Sequence, residues 1–285
     1  MYFEALYFSL VYLLIKLIMV FINGLFNKNL NQILKNKSFF INLLPEIIVL
    51  YAAYLILIYL SSKIDGTAYM VQIFVIVLFI TIIRLYNFVV EPYILLFNSK
   101  RRDDYSKILD PEWKKDMKII VIESDQINAY ATGFIKSNSI IILTTKLLEC
   151  MNKEDIKNLI KHEIGHLKEK HLFILFLINI IGSTITILAS FQIIEYFKNS
   201  QFEVLFIGLF IGTISFFLII VIPGIAQKLL EFRADLYAIK EVGLENYTET
   251  LKNFNELNDK ALEKWSLTHP TLDRRLKYLN KVYDL

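Results

Sequence analysis

Two uncharged apolar stretches, Leu172–Ile194 and Val204–Gln227, constrain this chain more than any other feature. Each exceeds the about 20 residues that a helix needs to cross a bilayer. The connector around Asn199 is short, so the two must run antiparallel as a transmembrane hairpin. Whatever precedes the first leg therefore meets whatever follows the second, on one side of the membrane.

The preceding flank reads His162-Glu163-Ile164-Gly165-His166. On a helix, residues four apart lie on one face, so both imidazoles can grip a single ion, with Glu163 at the next position round. Neutral imidazoles are zinc ligands, and the neighbouring carboxylate is placed to take a proton from an attacking water. Two of the chain's four histidines are here. Until a third ligand is found, the pattern also fits an amphipathic helix with two polar turns.

The hairpin supplies a candidate. His166 lies 33 residues before Asn199 and Glu231 lies 32 after it. At 1.5 Å per helical residue each leg is about 50 Å long, against a hydrocarbon core of about 30 Å. Both groups emerge together, and Glu231 completes a set of two His and one Glu that leaves a fourth zinc position open. Asp235 sits one turn further on the same face, where it can accept a hydrogen bond from the non-ligating nitrogen of a ligand His. Taken alone, Glu231-Phe232-Arg233-Ala234-Asp235 would be a solvated helix start; its register against the histidines makes it a ligand segment.

Three further apolar runs precede these, at 5–27, 43–60 and 68–97, the last broken by Arg84 and Glu91. With 55% hydrophobic residues, the expected fold is a multi-pass α-helical membrane protein of about five transmembrane helices, carrying a small α+β zincin-type catalytic domain. The expected organisation is 1–97, amino-terminal spans; 98–171, a charged linker, a β-hairpin and the zinc helix; 172–227, the transmembrane hairpin; and 228–285, a helical segment. Within 98–171 the pattern predicts a strand at Ile119–Ile122, then hairpin arms Ala129–Ile135 and Ser139–Thr144 joined by a turn at Lys136–Asn138. A short helix follows at Lys146–Met151, and the zinc helix, capped by Asn152 with Asp155, runs to His171. Pro223-Gly224 should kink the second leg. Leu251, Phe254 and Leu257 form one later stripe; Leu272, Leu276 and Leu279 form another.

Lysines between 24 and 40, the Lys100-Arg101-Arg102 edge and the carboxyl-terminal tail fall on one side of this topology, and the nearly neutral turns at 61–67 and 198–203 on the other. By the positive-inside rule the catalytic segment then faces the cytoplasm from a plasma membrane, with a bacterial setting expected and the amino terminus outside. The amino terminus lacks a secretory signal's basic start and cleavage site, so it is expected to be retained. Lys16 and Arg84 read as snorkelling side chains, or as an ion path if the chain were a transporter. Asn36-Lys37-Ser38 and Asn246-Tyr247-Thr248 match the glycosylation pattern but lie on the cytoplasmic side. A net charge of +3, from 31 basic and 28 acidic residues, implies no nucleic-acid partner. Cys150 is the only cysteine, which excludes an intrachain disulfide and an all-cysteine zinc site, and reads as a small buried apolar residue.

HEIGH followed across a hairpin by EFRAD resembles the HExxH and ExxAD segments of the integral-membrane zinc metallopeptidases of the HtpX and CAAX prenyl endoprotease family. Two further segments match. Asn128-Ala129-Tyr130-Ala131-Thr132-Gly133 is similar to the family's Asn-Ala-aromatic segment, which implies an edge strand holding the peptide substrate extended, with Asn128, Ala129 and Tyr130 at the substrate; an ordinary β-hairpin is the other reading. Thr268-His269-Pro270 with Arg275 resembles the His-Pro segment, which implies that His269 and Arg275 stabilise the oxyanion. Arg274 matches less well, and without the family His269 would be a surface residue before a proline turn. The resemblance implies a zinc endopeptidase, one zinc per chain, with Glu163 as general base and a peptide or membrane-protein substrate in the bilayer. It covers roughly residues 118–276. Gln227 and Lys228 stand where the family often has Ser-Arg, and the three amino-terminal spans fit neither branch. His171 is similar to the prenyl endoproteases, whereas NAYATG is closer to HtpX. The rival readings are a dedicated maturation protease for one peptide and a catalytically idle, zinc-stapled scaffold or sensor. The intact Glu163 argues against the scaffold, because a structural site needs no base.

Overall fold

A computed structural model describes residues 81, 100–101, 117–133, 139–197, 210–211, 213–264 and 266–283. The three amino-terminal runs, residue 81 aside, the residues Lys16 and Arg84, and the hairpin connector at Asn199 lie outside them. The chain forms two compact units, one of residues 87–179 and 216–285, the other of 1–86 and 180–215. The former carries the HEIGH, EFRAD, NAYATG and Thr268-His269-Pro270 segments.

Its sheet has four strands, β1 (Lys100–Arg101), β2 (Met117–Ile122), β3 (Ala129–Thr132) and β4 (Ser139–Thr144), in the order β1-β2-β4-β3. All six residues of β4, Ser-Ile-Ile-Ile-Leu-Thr, are buried, as expected of an apolar run covered on both faces. β2 pairs with it in parallel, from Met117↔Ser139 to Ile122↔Thr144. β3 pairs antiparallel, from Ala129↔Leu143 to Thr132↔Ile140, giving the expected hairpin; the predicted turn at 136–138 lies outside the described residues. Among the described residues β3 forms one edge of the sheet and β1 the other.

Alternation along the strands divides the core. Ile119, Ile141 and Leu143 pack with Leu147, Ile156, Ile160 and Ile164, while Ile120, Ile140 and Ile142 form a separate cluster. Leu147 belongs to a short helix, α1 (Thr145–Cys150), and the three isoleucines to α2 (Lys153–Lys168). Cys150 is only partly buried, against the same core.

Asn152 caps α2, its Oδ1 accepting from the Asp155 N–H at 2.8 Å. Asp155 is itself buried, and it accepts hydrogen bonds from Thr250 Oγ1 at 2.6 Å and Asn253 Nδ2 at 3.0 Å. The cap thus ties α2 to the later helix α5 (Leu244–Leu257). α2 ends at Lys168, short of the expected His171. Lys170 takes the left-handed conformation, with φ of 55°, which a helix of L-residues cannot pass through. A new helix, α3 (His171–Phe197), starts immediately after it.

Helix α4 (Ile222–Val242) is preceded by a π-helical turn at Phe217–Val221. The turn stands where the kink is expected: Pro223 has no N–H to give and its ring crowds the carbonyl four residues back. The apolar segments His171–Ala189 and Thr213–Val242 are each long and apolar enough to cross a membrane, and they leave Ile181, Phe217 and Leu229 exposed. The second continues as helix past Gln227, so Glu231 and Asp235 stand on a rigid extension of that segment. Ala238 and Ile239 of α4 pack with Tyr247 and Leu251 of α5 and with Leu279 of α6 (Leu272–Tyr283). Of the expected α5 stripe, Leu251 is buried and Leu257 is exposed, while Tyr247, four residues before Leu251 on the same face, is fully buried.

Candidate metal centre

Burial of Ile156, Ile160 and Ile164 fixes the rotation of α2. His162 and Glu163 are themselves buried, and α4 lies against the turn that holds them. The approach is close because Gly165 has no side chain. A Cβ there would lie 3.0 Å from Tyr237 Cβ and 3.2 Å from Ala234 Cα. Ala234 is fully buried. A small residue on each helix therefore lets the backbones approach until Glu231 reaches the histidines.

His162 Nε2 lies 3.1 Å from His166 Nε2, 3.5 Å separate it from Glu231 Oε2, and His166 Nε2 is 3.6 Å from Glu231 Oε1. Bonds of about 2.0–2.1 Å to a tetrahedral zinc put neighbouring donor atoms about 3.3–3.5 Å apart. The three distances lie close to that spacing, with the two carboxylate oxygens of Glu231 each facing one imidazole, and two imidazoles with one carboxylate are a zinc donor set. The residues fit the ion. Among the described residues this is the group of ligand side chains close enough to hold a metal.

Behind the donors the site is organised by charge. His162 Nδ1 is 3.0 Å from Asp235 Oδ1 and 2.8 Å from the Tyr247 hydroxyl. That hydroxyl donates to Asp235 at 2.7 Å, and Arg275 Nε donates to the other carboxylate oxygen at 2.8 Å. A second Arg275 nitrogen also meets Asp235. With Nδ1–H committed to Asp235, the neutral His162 ring would present its Nε2 lone pair to the donor set.

Burial would lower the His162 pKa, but hydrogen bonds and charges from Asp235 and Glu231 outweigh it and lift it to about 9. Burial takes His166 down to about 3, helped by the charge of His162, so its ring is neutral. Burial raises Glu163 to about 7, against the opposing pull of His162, a backbone hydrogen bond from Ala131 and the more distant Arg275. A carboxylate poised near neutrality is suited to proton transfer. The Ala131 contact also sets that carboxylate beside edge strand β3.

His269 is half-exposed, with Nδ1 3.4 Å from Glu231 Oε1, so it stands at the mouth of the donor set. Asn128 is exposed, and its backbone is tied to Thr144: its N–H donates to Thr144 Oγ1 and its C=O accepts from the Thr144 N–H, both at 3.1 Å. Ala129 and Tyr130 are partly buried on β3. The resemblance implies Arg275 at the oxyanion; in the structure it is buried, and its guanidinium hydrogen-bonds Asp235 and Tyr247. Sequence reasoning missed Tyr247; the signal was an aromatic hydroxyl twelve residues after Asp235, on the inner face of α5.

Residues 107–283 match the profile of "Peptidase family M48". A protease HtpX homolog of Methylacidiphilum infernorum is 26% identical over 197 residues, covering 58% of this chain and 65% of the relative. A protease HtpX of Mannheimia succiniciproducens is 23% identical over 185 residues, 56% of this chain and 65% of the relative. The chain thus spans about 65% of the length of these curated relatives. The crystal structure of S. mikatae Ste24p superposes with a TM-score of 0.66 at 18% identity, covering 97% of this chain and 75% of that one, a likeness of fold.

Proposed function

The chain belongs to peptidase family M48, and from that premise we propose that it is a zinc-dependent membrane endopeptidase. The observation that carries this reading is the meeting of His162, His166 and Glu231 at tetrahedral spacing, with the carboxylate of Glu163 buried beside them. Bound there, zinc would lower the pKa of water toward neutrality and polarise the scissile carbonyl.

The chain's own residues do the rest. Glu163 takes a proton from the attacking water and passes it to the leaving amine, for which its raised pKa suits it. The edge of β3 offers backbone groups to an extended peptide, with Asn128, Ala129 and Tyr130 alongside it, and the Ala131 contact brings that edge to the base. His269, half-exposed beside Glu231, is available to the developing oxyanion. Arg275 acts one step back, holding Asp235 against His162. The lysine distribution supports a catalytic segment facing the cytoplasm of a plasma membrane, with the amino-terminal runs as additional spans. A peptide or membrane-protein substrate suits a site whose third ligand is carried on an apolar helix long enough to cross a membrane.

Glu163→Gln tests the reading. Cleavage of an unstructured protein such as casein should fall to the chelator-treated background while zinc content is unchanged. Retained cleavage would remove Glu163 from the mechanism. Undisturbed cleavage after chelation would remove the metal.

A further inference from the structure

His171 is buried to 1% exposure at the first position of α3, and no role in catalysis accounts for it. Its Nδ1 lies 2.9 Å from His166 Nδ1. The rings meet edge to face, 4.9 Å between centroids and 82° between planes. On its other side, His171 Nε2 is 3.2 Å from Glu169 Oε2, and that oxygen is held at 2.6 Å by Arg233 Nε. The left-handed turn at Lys170 makes this possible. By ending α2 and starting α3 at once, it folds His171 back under the turn that carries His166.

Two nitrogens at that distance need one N–H and one lone pair between them. His166 turns its Nε2 toward His162 and Glu231, so that nitrogen carries the lone pair a metal requires. The proton of His166 then sits on Nδ1 and is donated to His171. His171 accepts at Nδ1 and carries its own proton on Nε2, donated to Glu169. Each neutral ring has one proton, and the chain of bonds closes only in this one arrangement.

We propose that His171, backed by Glu169 and Arg233, is the positioning residue that fixes the tautomer and orientation of His166. This rests on the metal reading above. His162 is oriented from α4, α5 and α6 through Asp235, Tyr247 and Arg275; His166 is oriented by a separate arm. That arm begins at Arg233, two residues after Glu231, so the helix that delivers the third ligand also steadies the second.

The test uses the full chain in detergent with ¹⁵N-labelled histidine and ¹¹³Cd as the metal probe. Four histidines give an assignable spectrum. The expected result is cadmium coupling to Nε2 of His162 and His166, with the His166 proton on Nδ1 and the His171 proton on Nε2. A His171 proton on Nδ1, with cadmium still coupled to both ligands, overturns this inference alone. Absence of coupling at every histidine overturns the metal reading and this inference with it.

Substitutions give a second readout that a merely structural role would not share. His171→Leu should weaken zinc binding about 10–100-fold, the range for groups that orient a metal ligand. His171→Gln, whose side-chain oxygen still accepts from His166, should restore most of it. Wild-type affinity in His171→Leu, or equal losses in the two variants, would overturn the proposal. The wild-type spectrum decides the matter even where a variant fails to fold.

Discussion

Replacing Gly165 with Ala adds one methyl group at the closest approach of α2 and α4. It would lie 3.0 Å from Tyr237 Cβ and 3.2 Å from Ala234 Cα, against an optimal carbon–carbon separation of about 3.5–4.0 Å. Ala234 offers backbone, which cannot rotate aside, so α4 must retreat by about 0.5 Å to recover that separation. The same change removes a helix-interior glycine, which favours folding by about 1 kcal/mol. Overpacking costs about 1–3 kcal/mol, so the net loss of stability should be small, about 0–2 kcal/mol. Zinc binding is less forgiving, because ligand distances hold within about 0.2 Å. Displacing Glu231 by more than that should weaken zinc about 10–100-fold, a penalty of the size seen when ligand support is lost. The assay is chelator competition on the full chain in detergent, with thermal unfolding of the same samples beside it. Wild-type zinc affinity in a folded Gly165→Ala variant would refute the argument that close helix contact sets the donor geometry.

Arg275→Met strands the Asp235 carboxylate in the core and should destabilise the fold by about 3–5 kcal/mol, read as a lowered unfolding midpoint. A lowered kcat with unchanged stability would return Arg275 to the substrate. Because the folded pKa of His162 is raised to about 9, the ring is protonated at pH 7 and zinc must displace that proton. Calorimetry in buffers of different ionisation enthalpy should show release of about one proton at pH 7 and a zinc affinity falling about tenfold per unit of added acidity below the His162 pKa; zinc binding without proton release would contradict this. Glu163 works as a base only when ionised, and burial holds its pKa at about 7. A bound cation can only lower that value, so the acid limb of kcat/KM should fall with decreasing pH through about 7 or below. An acid limb well above 7 would exclude Glu163 as the titrating base.

The grouping of His162, His166 and Glu231 was legible in the sequence because each residue rests on a strong constraint. The four-residue spacing of His162 and His166 needs only a helix, and Glu231 follows from the near-equal lengths of two apolar legs. Asn152 was legible for the same reason, since an N-cap is a local event. What was not legible depends on tertiary contact. Lys170 carries no glycine-like signal, so the break between α2 and α3 was invisible, and with it the return of His171 to His166. The resemblance puts Arg275 at the reacting oxygen and says nothing of its contact with Asp235, a buried carboxylate forty residues away that needs a cation. Tyr247 lies four residues before Leu251 on the same face of α5, but nothing in the sequence signals that its hydroxyl meets Asp235 and His162.

The most direct measurement is zinc-edge X-ray absorption, with metal content, on the purified full chain and on Glu231→Ala. The account predicts about one zinc per wild-type chain, bound by two imidazoles with oxygen donors, and loss of most of that zinc in the variant. A full zinc complement in Glu231→Ala, or a wild-type coordination shell without two imidazoles, would contradict it.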